Sequence, residues 1–315
     1  MSDPQVVALT GGVGGAKLCL GLSKCVLGDR LACVVNTADD FVHLGLRISP
    51  DLDTLLYTLA GCANAELGWG RQGETWTFMD ALERLGGPTW FRLGDGDLAL
   101  HVERTRRLAA GESLTQVTAR LAGRLGVTTR VLPMTDDTVG TCVHTDQGPL
   151  EFQEYFVRCR AAPAVLSIEY SGAETARLTD AVKAALDSPE LQAIVICPSN
   201  PFLSIDPILS IPGTRELLKS KGAPVVGVSP LIGGQAVKGP TAKLMRELGV
   251  TPTPTAIADH YEGLIDGLVI DEADRDWAER CGLPTLVTPT LMSTLEDKTR
   301  LAKQTLDFAR AIRVG

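Results

Sequence analysis

The residues of this chain best equipped for chemistry are a glycine turn with a lysine and a set of paired aspartates. Gly11-Gly12-Val13-Gly14-Gly15-Ala16-Lys17 follows the apolar run Val6–Thr10 and precedes Leu18, Leu20, Leu22 and Val26 in a segment of good helix formers. That order reads as buried strand, glycine turn and helix. Glycines lack the Cβ atoms that hold a phosphate off the backbone N–H groups, and the free N–H groups of a first helical turn point at such an anion. Gly11, Gly12, Gly14 and Gly15 are therefore candidate phosphate contacts, with Lys17 adding a point charge from early in the helix. The pattern is not a P-loop, because Leu18 follows the lysine, and it misses the strict G-x-G-x-x-G spacing. A plain strand–helix corner would also use glycine.

Asp39 and Asp40 close a second strand-like run at 31–36, which puts them on the same rim as the glycine turn in a parallel α/β sheet. Adjacent carboxylates repel, a neighbouring cation resolves the conflict, and hard oxygen ligands beside a phosphate site suit Mg2+. The alternative is an acidic turn with an Asp N-cap. Asp51 and Asp53 fall in the first turn of a helix starting near Pro50, where the helix dipole favours negative charge. Ser199 and Asn200, between Pro198 and Pro201, and the 229–233 turn from Ser229 to Gly233 present polar groups at the ends of later strands. Asp136-Asp137 is a further acidic pair. His43, near the acidic loop, and His101 read as structural or solvated before they read as ligands.

The elements that must position these residues alternate. Strand-like runs at 131–134, 164–170, 193–197, 224–228, Gly267–Ile270 and Thr285–Val287, with helices between, predict a doubly wound, mostly parallel Rossmann-like α/β sheet. Runs at 141–145 and 150–157 flank Asp146-Gln147-Gly148-Pro149 and read as a β-hairpin on the sheet's edge. From 49 to 126 strand-like runs are absent, and 75–85, 97–109 and 113–125 carry helical apolar spacing. The expected organisation is a core of 1–48 and 127–315, with 49–126 as an α-helical cap insertion over the carboxyl rim. Trp69, Trp76, Trp90 and Phe91 would give that cap flat apolar surface suited to an aromatic ligand.

A chain of 315 residues with net charge −8 and no Lys/Arg run is not built to bind nucleic acid. The 8 cysteines are scattered, without a C-x-x-C pair, and read as reduced residues of a cytosolic protein. With no leader and no apolar run of membrane-spanning length, the expectation is a soluble, cytoplasmic protein that engages no membrane.

The loops also form an ordered set. Gly11-Gly12-Val13-Gly14-Gly15, Asn36-Thr37-Ala38-Asp39-Asp40, Ser49-Pro50-Asp51-Leu52-Asp53-Thr54, Leu93-Gly94-Asp95-x-Asp97, Leu132-Pro133-Met134-x-Asp136-Asp137, Pro198-Ser199-Asn200-Pro201 and Ser229-Pro230-Leu231-Ile232-Gly233 occur in that sequence. Over nearly the whole chain they resemble the 2-phospho-L-lactate transferase family of deazaflavin coenzyme F420 biosynthesis. The resemblance implies a Mg2+-dependent reaction in which the ribityl hydroxyl of the deazaflavin Fo attacks a guanosine diphosphate-linked donor. A phosphodiester of the F420-0 type forms and GMP leaves. The donor group is phospholactyl, phosphoenolpyruvyl or 3-phosphoglyceryl. Asp39, with Asp40 second, would hold the metal, and Asp51 or Asp53 would orient the hydroxyl, as base if one is needed. Ser199, Asn200 and the turn holding Ser229 and Gly233 would contact the nucleotide, Asp95 and Asp97 would join the ligand contacts, and the protein would be a homodimer. One departure stands out: the family often has an arginine between the aspartates of the L-G-D-x-D stretch, expected to contact acceptor or phosphate, and here the residue is Gly96. Arg92 and Arg104 are the nearby substitutes. A non-catalytic sugar-nucleotide-binding regulator of the same superfamily is the competing reading. An NAD-dependent dehydrogenase is disfavoured by the glycine spacing.

Overall fold

The computed structural model describes residues 3–64, 69–220, 222–237 and 239–314. Seven strands form the central sheet: β1 (Val6–Thr10), β2 (Leu31–Val35), β3 (Arg130–Pro133), β4 (Ala193–Ile196), β5 (Val225–Val228), β6 (Gly267–Ile270) and β7 (Thr285–Val287). Their spatial order is β7-β6-β5-β4-β1-β2-β3 and every pairing is parallel. This is the doubly wound α/β arrangement that the alternating pattern predicts. The first six strands run 3-2-1-4-5-6 in space, the Rossmann order.

Unbroken apolar runs suit strands covered on both faces. Val6, Ala8, Leu31, Cys33 and Val35 face one layer, with α1 (Gly12–Cys25), α2 (Pro50–Leu59) and the C-terminal helix (Leu295–Val314) packed against them. Val7, Leu9, Ala32 and Val34 face the other, with Val182 and Leu186 of the helix Asp180–Leu186 and Ile257 of the helix Pro254–His260. Between β2 and β3 the chain adds α3 (Thr77–Arg84), α4 (Asp95–Ala109) and α5 (Leu114–Arg124). Leu52, Leu55 and Leu56 of α2, Leu100 of α4 and Val117 and Leu121 of α5 join the α1 face of the core. Met79 of α3 packs instead with Ile48 and Leu93.

Two differences from the sequence reading concern strands. The hairpin Gly140–Thr145 and Gly148–Glu151 does not extend the central sheet; it pairs with Val165–Ser171 in a separate three-stranded antiparallel sheet. Val165–Ser171 is thus no member of the parallel series. Its alternating exposure explains why: with one wet face it suits an antiparallel sheet rather than a core strand. Phe41–His43 and Leu46–Ile48 form a second hairpin that the sequence reading missed. Its turn places Leu44 and Gly45 at φ 53° and 76°, a geometry that Asn-Gly normally announces. No helix among the described residues is long and apolar enough to cross a membrane.

Candidate functional site

Strand order reverses direction beside β1, so the loops after β1 and β4 flank the crevice where doubly wound sheets bind ligands. The two loops are stitched together there. The Ser199 hydroxyl donates to the Gly11 carbonyl at 2.8 Å and accepts the Gly11 N–H at 3.2 Å. A Cβ on Gly14 would strike the Pro198 carbonyl, and one on Gly15 would strike Thr10 Oγ1 and Ser199 Oγ. These two glycines therefore serve the close approach of α1 to the β4 turn. Lys17 Nζ donates to the Met292 carbonyl at 2.9 Å, on the C-terminal segment.

The Gly12 N–H donates to Asp51 Oδ1 at 2.7 Å, so a carboxylate from α2 meets the start of α1. Asn36 Nδ2 donates to Asp51 Oδ2 at 3.0 Å and to the Leu203 carbonyl at 3.1 Å. Asp39 lies against this centre. Burial drives its pKa well above the usual carboxyl range, and the Asp51 charge pushes the same way. Burial likewise raises Asp51 to about 6 and Asp40 to about 8. The missed hairpin pairs Phe41 with Ile48, which brings Asp40 to Ser49, whose hydroxyl donates to Asp40 Oδ2 at 2.6 Å. Among the described residues, Asp39 Oδ1 and Asp40 Oδ1 are enclosed and accept no hydrogen bond. Enclosed carboxylate oxygens without a donor are costly, and a hard divalent cation with oxygen preference satisfies them. Both are oxygen donors of the kind that Mg2+ prefers.

A second polar cluster lies beside the first. Arg104, 1% exposed, donates to both oxygens of Asp53, with Nη1 3.1 Å from Oδ2. The same Nη1 stands 3.3 Å from His101 Nδ1. A guanidinium can only donate, so Nδ1 accepts and the ring proton sits on Nε2, which faces Asp97 Oδ1 at 3.3 Å. The Tyr57 hydroxyl donates to the same oxygen at 2.5 Å. Asp53, Asp97 and His101 converge closely enough to ligate a metal, but the Arg104 guanidinium already supplies the cation.

The other sequence candidates are distributed. Asp95 accepts the N–H groups of Thr77 and Phe78 at 3.2 and 3.1 Å and so caps α3. Asp136 accepts from the Thr115 N–H at 2.7 Å at the start of α5. Asn200 Oδ1 accepts from Phe202 and Leu203 N–H, while its Nδ2 is enclosed without an acceptor among the described residues. On the rim of β5, Ser229 Oγ accepts the Leu231 N–H at 3.2 Å, and the Gly233 N–H donates to Asp274 at 2.9 Å. His43 is buried among Phe41, Trp90 and Phe91, and burial lowers its pKa. Asn36 is the residue the sequence reading left without a role; its place directly before the acidic loop, at the end of β2, was the available signal.

A family model described as 2-phospho-L-lactate transferase CofD matches residues 6–281. A phosphoenolpyruvate transferase of Kitasatospora aureofaciens is 42% identical over 99% of this chain and 99% of its own length. One of Streptomyces griseus subsp. griseus is 40% identical over 98% and 99%, and a 2-phospho-L-lactate transferase of Methanocaldococcus jannaschii is 37% identical over the same shares. The crystal structure of a UPF0052 family member from Bacillus halodurans aligns with a TM-score of 0.63 at 17% identity, covering 97% of this chain and 99% of that one. That likeness is one of fold.

Proposed function

Since the chain belongs to the 2-phospho-L-lactate transferase CofD family, whose members include transferases of the phospholactate and phosphoenolpyruvate type, we propose that it transfers such a group from a guanosine diphosphate-linked donor to the ribityl hydroxyl of the deazaflavin Fo, in F420 biosynthesis. The supporting observation is the pair of enclosed, donorless oxygens of Asp39 and Asp40 beside the turn where Asp51 meets the Gly12 N–H.

In this reading the diphosphate lies in the crevice between the 11–15 turn and the β4 loop. Asp39 and Asp40 would hold Mg2+, which would supply charge neutralisation for a loose phosphoryl-transfer transition state that needs little covalent help. Asp51, held at the junction of the two loops by the Gly12 N–H and Asn36, takes the proton of the attacking hydroxyl. The P–O bond to the acceptor forms as the bond to GMP breaks. Asp53, clasped by Arg104, fixes the first turn of α2 and with it Asp51. Asn200 and Ser199, on the β4 loop that borders the crevice, contact the nucleotide.

Relatives at 39 to 42% identity are phosphoenolpyruvate transferases, which makes the enolpyruvyl-type donor the first to test. The protein is incubated with Fo, Mg2+, GTP, each three-carbon phosphate and the donor-forming enzyme, and the product is identified by mass. The expected result is an F420-0 species and stoichiometric GMP, lost on chelation of Mg2+. Tight binding of a sugar nucleotide with no turnover of any donor would overturn the reading in favour of a regulator. Light scattering checks the homodimer.

A further inference from the structure

Gly96, the second residue of α4, leaves the turn between Asp95 and Asp97 without a side chain, and another segment fills the space. A Cβ on Gly96 would lie 2.7 Å from Arg71 Nη1 and 2.9 Å from Glu74 Oε1. Glu74 Oε2 accepts the Gly96 N–H at 2.6 Å and so braces the first turn of α4. The Arg71 guanidinium stands 5.7 Å from the centre of the Tyr57 ring, whose hydroxyl is bound to Asp97. Its carboxylate neighbour Glu74 is 3.9 Å from Nε, beyond hydrogen-bond length. Nε itself is enclosed and has no acceptor among the described residues, although 33% of the side chain remains exposed. This arginine is held in place with its Nε unpaired among the described residues and its remaining surface open. The two arginines that the sequence offered for the place are committed elsewhere: Arg104 to Asp53, and Arg92 to the face of Trp76, 4.3 Å from the ring centre.

We propose that Arg71 binds the acceptor, donating from its guanidinium to carbonyl oxygens on the edge of the flat ring. The assignment rests on the transferase reading above. The neighbours of its guanidinium separate this from a diphosphate role: among the described residues they are Glu74, the turn at Gly96 and the Tyr57 ring, six positions along α2 from Asp51, and neither Asp51 nor the 11–15 turn is among them. Flat apolar surface is at hand instead, with Trp69 and Trp76 on either side of Arg71 in sequence and 6.5 Å apart between ring centres.

The test is equilibrium binding of Fo, followed by its own absorbance and fluorescence, to wild type, Arg71→Ala, Arg71→Lys and the double variant Arg71→Ala/Gly96→Arg. The atoms nearest a Cβ at 96 are the end of the Arg71 side chain, which the double variant removes, and the Glu74 carboxylate, so the transplanted arginine starts from the space that Arg71 vacates. Losing a charge-assisted donor should weaken acceptor affinity by about 10- to 100-fold, with donor KM and thermal midpoint unchanged. Lysine should restore part of the affinity and the double variant most of it. Unchanged Fo affinity in Arg71→Ala, a loss confined to donor KM, or a loss that tracks a lowered midpoint and is not rescued by Gly96→Arg overturns the assignment. If wild type itself binds no Fo, the transferase reading fails and the Arg71 assignment fails with it; wild-type binding with an unaffected Arg71→Ala overturns the assignment alone.

Discussion

Asp51 and Asp53 stand two positions apart at the start of α2, and their surroundings differ in kind. Asp53 belongs to a closed network: Arg104 donates to both its oxygens, His101 stands against Arg104, and Asp97 receives Tyr57. Asp51 faces the sheet rim, where it shares a buried space with Asp39 and, among the described residues, is met by the neutral donors of Gly12 and Asn36. Asp40, between the two regions, keeps one oxygen bare. Burial is similar on both sides, with Asp51 at 8% and Asp53 at 5% exposed, so desolvation alone does not separate them. What separates them is whether a cation is built in. A buried carboxylate paired with arginine is framework; one without a cation is primed to receive one from solution.

The comparison breaks first at Arg104. Arg104→Ala leaves Asp53 buried without its partner and should cost about 3–5 kcal/mol of stability, read from urea denaturation. A loss under about 1 kcal/mol would show that the network is not framework. The opposite side is tested by Asp39→Asn, which should lower kcat/KM by about 10²–10³-fold while stabilising the metal-free protein near neutral pH. Near-normal turnover would remove Asp39 from the metal site. Gly15→Ala drives a methyl group into Thr10 and Ser199 and should cost about 1–3 kcal/mol. Since this turn also bounds the crevice, kcat/KM is expected to fall with it, and an unchanged thermal midpoint would refute the packing role given to this glycine.

The smallest effect is a pH dependence. Asp51 and Asp40 have folded pKa values of about 6 and about 8, both above the ordinary 3.8. Above that ordinary value the unfolded chain has released protons that the folded protein still holds. Their contribution is fully present below about pH 4 and lost as pH rises through about 6 and then 8. Metal-free protein should therefore lose stability across that window, and Mg2+ should raise the thermal midpoint more at the alkaline end, where binding displaces fewer protons. A midpoint that is flat with pH and indifferent to Mg2+ would count against a cation-ready rim.

Much of this was readable in the residue order. The apolar run Val6–Thr10, passing directly into Gly11, and the run 31–36, passing into Thr37-Ala38-Asp39-Asp40, sufficed to place the glycine turn and Asp39 on one rim. The Phe41–His43 hairpin was not readable, because Leu44-Gly45 carries a turn that sequence normally signals with asparagine. The partner of Lys17 was not readable either: its place early in α1 does not say what its ammonium meets, and in the structure Nζ donates to the Met292 carbonyl. Gly14 and Gly15 looked like phosphate contacts, yet the neighbours that require glycine there are Pro198, Thr10 and Ser199.

Local pattern determined the elements and their rim, since burying continuous apolar strands on two faces leaves one economical winding. It also determined the supply of carboxylates at the strand ends. Only the tertiary structure decided which of those carboxylates met a cation of the chain's own, because Arg104 reaches Asp53 across 51 positions and Arg71 approaches Gly96 from a separate loop. Pairing over such separations depends on how helices dock, and neighbouring residues carry no record of that docking.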